Sequence, residues 1–229
     1  LISFVSRCHN GMTYLITQID QFTPIQLDAS EYERFLPKFN LLSEDLKSEC
    51  QDYLAASRAK IIELQDKQFS PLALHQVYSF MIDQLITGLF DHFSEGSEGK
   101  YALIATGGYG RQEMSLLSDV DLLLLYDGKD TSHYERIMEK VLYLLWDIKL
   151  EVGHALRKIS ECKALMQDQT IFTSLLDMRL LRGDEELFSD LAQIRKKLVQ
   201  ENTFKKNFFE SKWEERKERL KKFGGSVYL

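Results

Sequence analysis

Apolar positions along the chain change their spacing several times, and each change marks an element. Leu42, Leu46, Cys50, Leu54 and Ile61 recur at helical spacing, with Ser43 as a candidate cap and Glu44 and Asp45 in the first turn, which predicts a helix from about residue 43. A second helix is expected over "PLALHQVYSFMIDQLITGLFDHF", where proline stands in the first turn. "SEGSEGK" then breaks the pattern. The short apolar run "YALIAT" (101–106) and the leucine-rich "SDVDLLLLY" (118–126) predict two strands, the first bounded by glycines. Between 132 and 149 the helical period returns, with Ser132 and Glu135 as a capping box and Ile137, Val141, Leu145 and Ile148 on one face. "LEVGHALRK" (150–158) alternates in part and predicts a third strand. The remainder, 160–222, reads as helices. These elements give an α+β chain, divided into a helical region over 1–98, a core over 99–160 and a second helical region over 161–229.

Composition narrows the class. At 229 residues with 44% apolar content the chain can bury a sizeable core. Lys and Arg number 29 against 35 Asp and Glu, a net charge of -6, so the surface as a whole does not attract phosphate backbones and nucleic acid is an unfavoured partner. One stretch departs from this: residues 195–222 hold eleven Lys or Arg against five Glu. Their interleaving at helical spacing predicts a solvated helix face. Cys8, Cys50 and Cys162 lie far apart without a CxxC, which argues against a zinc site or disulfide framework and predicts small buried side chains in a reducing, cytoplasmic setting. No apolar run reaches the roughly 20 residues of a bilayer span, and the opening "LISFVSRCHNGMTYLI" lacks the features of a signal peptide. A start at Leu1 and a stop at "GGSVYL" predict a piece of a longer protein.

The chemistry concentrates in "ATGGYGRQEMSLLSDVDLLLLYDG", residues 105–128. In a strand, residues two apart share a face, so Asp119 and Asp121 project together, about 7 Å apart, while Val120 and Leu122 face the other way. Two carboxylates this close oppose each other's ionisation unless a cation joins them. Magnesium suits such a pair, because it takes carboxylate oxygens and keeps positions open for water and phosphate. The glycines of the preceding turn, Gly107, Gly108 and Gly110, allow close backbone approach to phosphate oxygens. Arg111 offers a guanidinium for bidentate phosphate contact, and Ser118 a hydroxyl beside the pair. A Walker loop needs Gly-Lys-Ser/Thr, and a dinucleotide fingerprint needs a glycine where Glu113 stands, so both are excluded.

This strand, Gly-Gly turn and Ser-Asp-x-Asp strand resembles the nucleotidyltransferase superfamily with the DNA polymerase beta-like fold. With "LLWDIKLEVGHALR" and "TSLLDMRLLRGDEELF", it is most similar to the N-terminal region of the bacterial protein-PII uridylyltransferase/uridylyl-removing enzymes, from about residue 45 to the end of the chain. The resemblance implies a small mixed sheet flanked by helical regions. It also implies a two-ion site for Mg²⁺, with Mn²⁺ as an alternative, held by Asp119, Asp121 and a third carboxylate. Glu151 fits that third role by position, and Asp147 is its rival. His154 stands as either an orienting residue or a structural histidine. Gly107, Gly108, Arg111 and Ser118 are then the nucleotide-binding set. Gln112 stands where the family commonly has glycine, and Leu116 where proline is frequent. The family's hydrolase and glutamine-sensing domains have no counterpart among these residues, so uridylyl removal and its control are expected outside them.

The resemblance implies transfer of UMP from UTP to a tyrosine hydroxyl of the signalling protein PII, a reaction of nitrogen regulation. The residues alone leave the acceptor open to another protein, a small molecule or an RNA end, and leave open a module that binds nucleotide without turnover.

Overall fold

The computed structural model describes residues 29–67, 69–94, 99–128, 132–222 and 224. After a 3-10 segment at Ala29–Phe35, two long helices, α1 (Leu46–Asp66) and α2 (Pro71–Ser94), precede the sheet. Then follow β1 (Lys100–Ala105), the one-turn helix α3 (Gly107–Gly110), β2 (Val120–Asp127), α4 (Ser132–Asp147) and β3 (Val152–Lys158). The chain continues with α5 (Ile159–Leu165), α6 (Gln169–Ser174), β4 (Arg179–Gly183), α7 (Glu185–Gln200) and α8 (Asn202–Lys222). The opening stretch with Cys8 and the closing "GGSVYL" fall largely outside the described residues, so the expectations placed on them are not addressed by the fold.

The four strands lie in the order β3-β2-β1-β4, with β2 and β3 parallel and both pairings of β1 antiparallel. Alternation along β2 sorts its side chains between two cores. Val120, Leu122, Leu124 and Tyr126 pack with α1, α2 and α4. Leu123 and Leu125 face the other way, joining Ala102 and Ile104 under α5, α6, α7 and the start of α8. The strand is apolar on both faces because helices cover both. Each leucine that is fully buried here contributes about 1.5–3 kcal/mol of hydrophobic stabilisation.

The sequence expectations hold for α2, β1, β2, α4 and β3 to within two residues at each end. Ile137, Val141, Leu145 and Ile148 are all buried on one side, as the period of α4 requires. At α1 the expected cap moves: Asp45, not Ser43, caps the helix by accepting from the Ser48 amide at 2.9 Å. Leu42 lies before the helix and is exposed, while Cys50, Leu54 and Ile61 are buried as the spacing predicts. One expectation is overturned. Residues 160–222 are not all helical, because Arg179–Gly183 forms the edge strand β4 against β1. Its five residues, Arg-Leu-Leu-Arg-Gly, lack the alternation that marks a strand, and pairing with β1 decides their conformation.

Cys50 and Cys162 are free and buried, and burial pushes their thiols up to about 12 and about 11. The basic stretch forms most of α8, where Lys212–Glu215 at 2.7 Å, Lys217–Glu214 at 2.7 Å and Arg219–Glu215 at 3.0 Å are pairs within one helix. That arrangement is the solvated face read from the sequence. Among the described residues no helix is long and apolar enough to cross a membrane.

Candidate active site

The antiparallel turn from β1 to β2 and the parallel neighbour β3 bring the expected residues to one end of the sheet. Thr106 donates its amide to the Asp121 carbonyl at 3.0 Å, fixing the start of the glycine turn beside the aspartate strand. Gly107 follows with φ +59, the left-handed region that glycine enters without steric cost. Arg111 and Glu113 donate backbone amides to the Gly107 and Gly108 carbonyls at 3.1 and 2.9 Å, closing α3. Thr106 makes no side-chain cap bond; its carbonyl accepts from the Gly110 amide at 2.9 Å, and the Gly107, Gly108 and Tyr109 amides come before this first helical bond.

Asp121 is the second residue of β2 and exposed, between buried Val120 and Leu122. Its register partner on β3 is Gly153. A Cβ on Gly153 would stand 2.6 Å from Asp121 Oδ1, and one on Gly107 would stand 3.2 Å from Oδ2. Two glycines therefore make the slot in which this carboxylate sits. Burial, and then the charge of Asp119, push the Asp121 carboxyl above the usual carboxylate range. Asp119 lies just before β2 and is exposed. Among the described residues no ion pair or side-chain hydrogen bond reaches either carboxylate. A raised carboxyl beside a second aspartate, with no basic neighbour among the described residues, fits a divalent cation.

Glu151 precedes β3, and its carbonyl accepts from the Val120 amide at 2.9 Å. Extending the β2–β3 register by one residue sets it beside Asp119, but among the described residues no three His, Cys, Asp or Glu side chains stand close enough to hold an ion together. The structure thus brings Asp119 and Asp121 to one mouth and leaves the Glu151 side chain exposed at its margin. Asp147 ends α4 and pairs with Lys47 at 3.0 Å, a surface contact. His154 packs its ring against Trp146 at 5.9 Å.

Two residues of the expected nucleotide-binding set are already engaged. Arg111 pairs with Glu113 at 2.6 Å and with Asp177 at 2.7 Å, so its fork is shared between two carboxylates. The Ser118 hydroxyl accepts from the Ser115 amide at 3.0 Å and lies 2.9 Å from the Ser115 hydroxyl, building the turn before β2.

Sequence reasoning missed a third group. Asp83 of α2 is buried and holds the Arg179 guanidinium at 2.6 and 3.0 Å and the Tyr109 hydroxyl at 2.6 Å. Burial pushes its carboxyl up, while Arg179 and Tyr109 draw it back down. The available signal was a lone aspartate in the apolar helical run "FMIDQLI".

Comparison with known proteins finds a family similar to part of this chain. Residues 55–155 match the family described as "Putative nucleotidyltransferase DUF294". Curated relatives named bifunctional uridylyltransferase/uridylyl-removing enzyme are similar over a longer stretch. The one from Rhodopseudomonas palustris is 42% identical over 142 residues, covering 62% of this chain and 15% of the relative. Those from Phenylobacterium zucineum and Vibrio vulnificus are 39% and 37% identical over 163 and 150 residues, covering 67% and 64% of this chain and 17% of each relative. The chain thus spans about one sixth of the length of the curated relatives it matches. The matched residues 55–155 contain the glycine turn and the Asp-x-Asp strand, so this part of the chain is similar to a nucleotidyltransferase domain.

Proposed function

We propose that this chain carries the site that transfers a uridylyl group from UTP to a tyrosine hydroxyl of the signalling protein PII. The tyrosyl oxygen forms a bond to the α-phosphorus, the bond from that phosphorus to the bridging oxygen breaks, pyrophosphate leaves, and the tyrosine proton passes to solvent. The observation that carries the reading is the carboxylate pair at the mouth of β2, with Asp121 slotted between Gly107 and Gly153 and, among the described residues, no basic side chain neutralising it. The names of the similar proteins support the uridylyl group as the one moved.

Asp119 and Asp121 would hold Mg²⁺, with Glu151 the third carboxylate at the margin. When bound, the cation supplies charge neutralisation for the triphosphate and the leaving pyrophosphate. The chain's own part is orientation. The glycine turn presents backbone amides at the mouth of β2, where phosphate oxygens can approach without meeting a side chain. Arg111, held beside the turn by Glu113 and Asp177, would have to exchange one of these carboxylates to meet a phosphate. Such positioning accounts for much of the acceleration in phosphoryl and nucleotidyl transfers.

The test is incubation of the purified chain with Mg²⁺, UTP and PII, read by intact-protein mass spectrometry. One added UMP per PII subunit, absent with Asp121→Asn, is the expected result. Transfer that persists in Asp121→Asn removes the site assignment, and UMP appearing on another acceptor but never on PII removes the partner.

A further inference from the structure

Among the described residues Asp83 is the only charged side chain in the buried set. A buried ion pair adds little net stability compared with apolar packing of the same volume, so its presence asks for another reason. Its contacts supply one. Arg179 holds Asp83 with two donors, and the same guanidinium donates to the Tyr109 carbonyl at 3.2 Å and the Gly110 carbonyl at 3.4 Å. Tyr109 closes the ring by donating its hydroxyl to Asp83 at 2.6 Å, and its ring lies 5.4 Å from the guanidinium carbon. Tyr109 and Gly110 are the second half of the glycine turn. The turn is thereby bound to α2 and to β4, elements distant in sequence, through its side chain and two of its carbonyls. The turn also abuts the segment just before β4: a Cβ on Gly110 would stand 2.3 Å from the Asp177 carbonyl oxygen.

We propose that Asp83, Tyr109 and Arg179 form a positioning clamp that sets the glycine turn at the height and angle needed to meet the nucleotide's phosphates. The proposal rests on the nucleotidyltransferase reading above. None of the three touches the carboxylate pair; they act through the backbone of residues 107–110. Arginine suits the role because one planar fork satisfies the carboxylate and both carbonyls, which a lysine ammonium could not do in the same geometry.

Two measurements on the same variants test it. Tyr109→Phe deletes one hydroxyl and keeps the ring, Arg179→Lys keeps the charge and loses the fork, and Leu191→Ala opens a cavity under the opposite face of the sheet as a comparably destabilised control. Hydrogen exchange is followed over peptides spanning 106–113, and UTP binding with Mg²⁺ by calorimetry. Both clamp variants are expected to speed exchange at 106–113 and weaken UTP about tenfold, the scale expected when a positioned group shifts by a fraction of an ångström. Leu191→Ala is expected to leave both unchanged. Clamp variants that match the control in exchange and in affinity overturn the proposal, and so does faster exchange at 106–113 with unaltered affinity. Absence of UTP binding by the unmodified chain counts against the nucleotide reading itself. Exchange at 106–113 then still decides whether the three residues hold the turn.

Discussion

Among the described residues two carboxylates, Asp83 inside the fold and Asp121 at its surface, are pushed up chiefly by desolvation, and they are equipped in opposite ways. Asp83 has its counter-charge built in: the Arg179 fork and the Tyr109 hydroxyl meet it inside the fold. Asp121 meets a second aspartate and two glycines, and among the described residues no cation approaches it. A fold that can bring an arginine to a buried acid and leaves an exposed one bare next to a like charge keeps the second for something that arrives from solvent. The difference separates an acid that holds structure from an acid that holds a ligand, and substitutions at the two should fail in different ways.

The sharpest contrast is Asp121→Asn against Asp83→Asn. Removing the Asp121 charge relieves repulsion with Asp119, so the melting temperature should hold or rise while transfer falls by at least about 10²–10³-fold, the scale for losing one preorganised electrostatic contact. Removing the Asp83 charge strands Arg179 in a partly buried pocket and should cost about 3–5 kcal/mol of stability. Denaturant titration of both variants beside the transfer assay measures the pair. Equal stability losses would erase the distinction between the two acids.

Next in size is Gly153→Ala. The new Cβ would stand 2.6 Å from Asp121 Oδ1, so the carboxylate must leave its slot. A side-chain end can move where backbone cannot, so the fold should survive with a small stability change. Transfer should drop by about 10²-fold, as expected for misplacing a reacting group by about 1 Å. Steady-state rates at saturating UTP check this. An unaltered rate would mean that the slot does not set the position of Asp121 during turnover.

How far the sequence spoke depended on the range of the interactions involved. β1, β2, α4 and β3 were legible because each has its own run or period of apolar residues. Asp119 and Asp121 were legible because a two-residue spacing on a strand is itself a geometry. The slot was half legible: Gly107 belonged to the recognised turn, but the pairing of Gly153 with Asp121 exists only once β3 is in register. β4 and the Asp83–Arg179–Tyr109 clamp were not legible. Arg179 and Asp83 lie 96 residues apart, and nothing local to either names the other. Arg111 was legible as a basic residue beside the turn, but its engagement by Glu113 and Asp177 needed the fold, since Asp177 is 66 residues away. Local pattern revealed where chemistry could happen, and long-range contacts determined how it is held.

The smallest expected effect lies between the two acids, at Gln112. It follows the glycine turn with φ +59, in the left-handed region, and it lines a cavity of about 450 Å³ together with Asp83 and Arg179. A residue with a Cβ costs about 1–2 kcal/mol in that region relative to glycine. Glycine gives back about 0.5–1 kcal/mol through the greater freedom of its unfolded chain. Gln112→Gly, the residue common at this position in the family it resembles, should therefore stabilise the fold by about 0.5–1 kcal/mol and raise the melting temperature by about 1–4 °C. Transfer should be unchanged, since the side chain points to the clamp's side of the turn and not to the carboxylate pair. Scanning calorimetry on the single variant reads the effect. A lower melting temperature would show that the glutamine side chain offsets its own backbone strain through contacts in the cavity, which would make Gln112 a fourth member of the clamp.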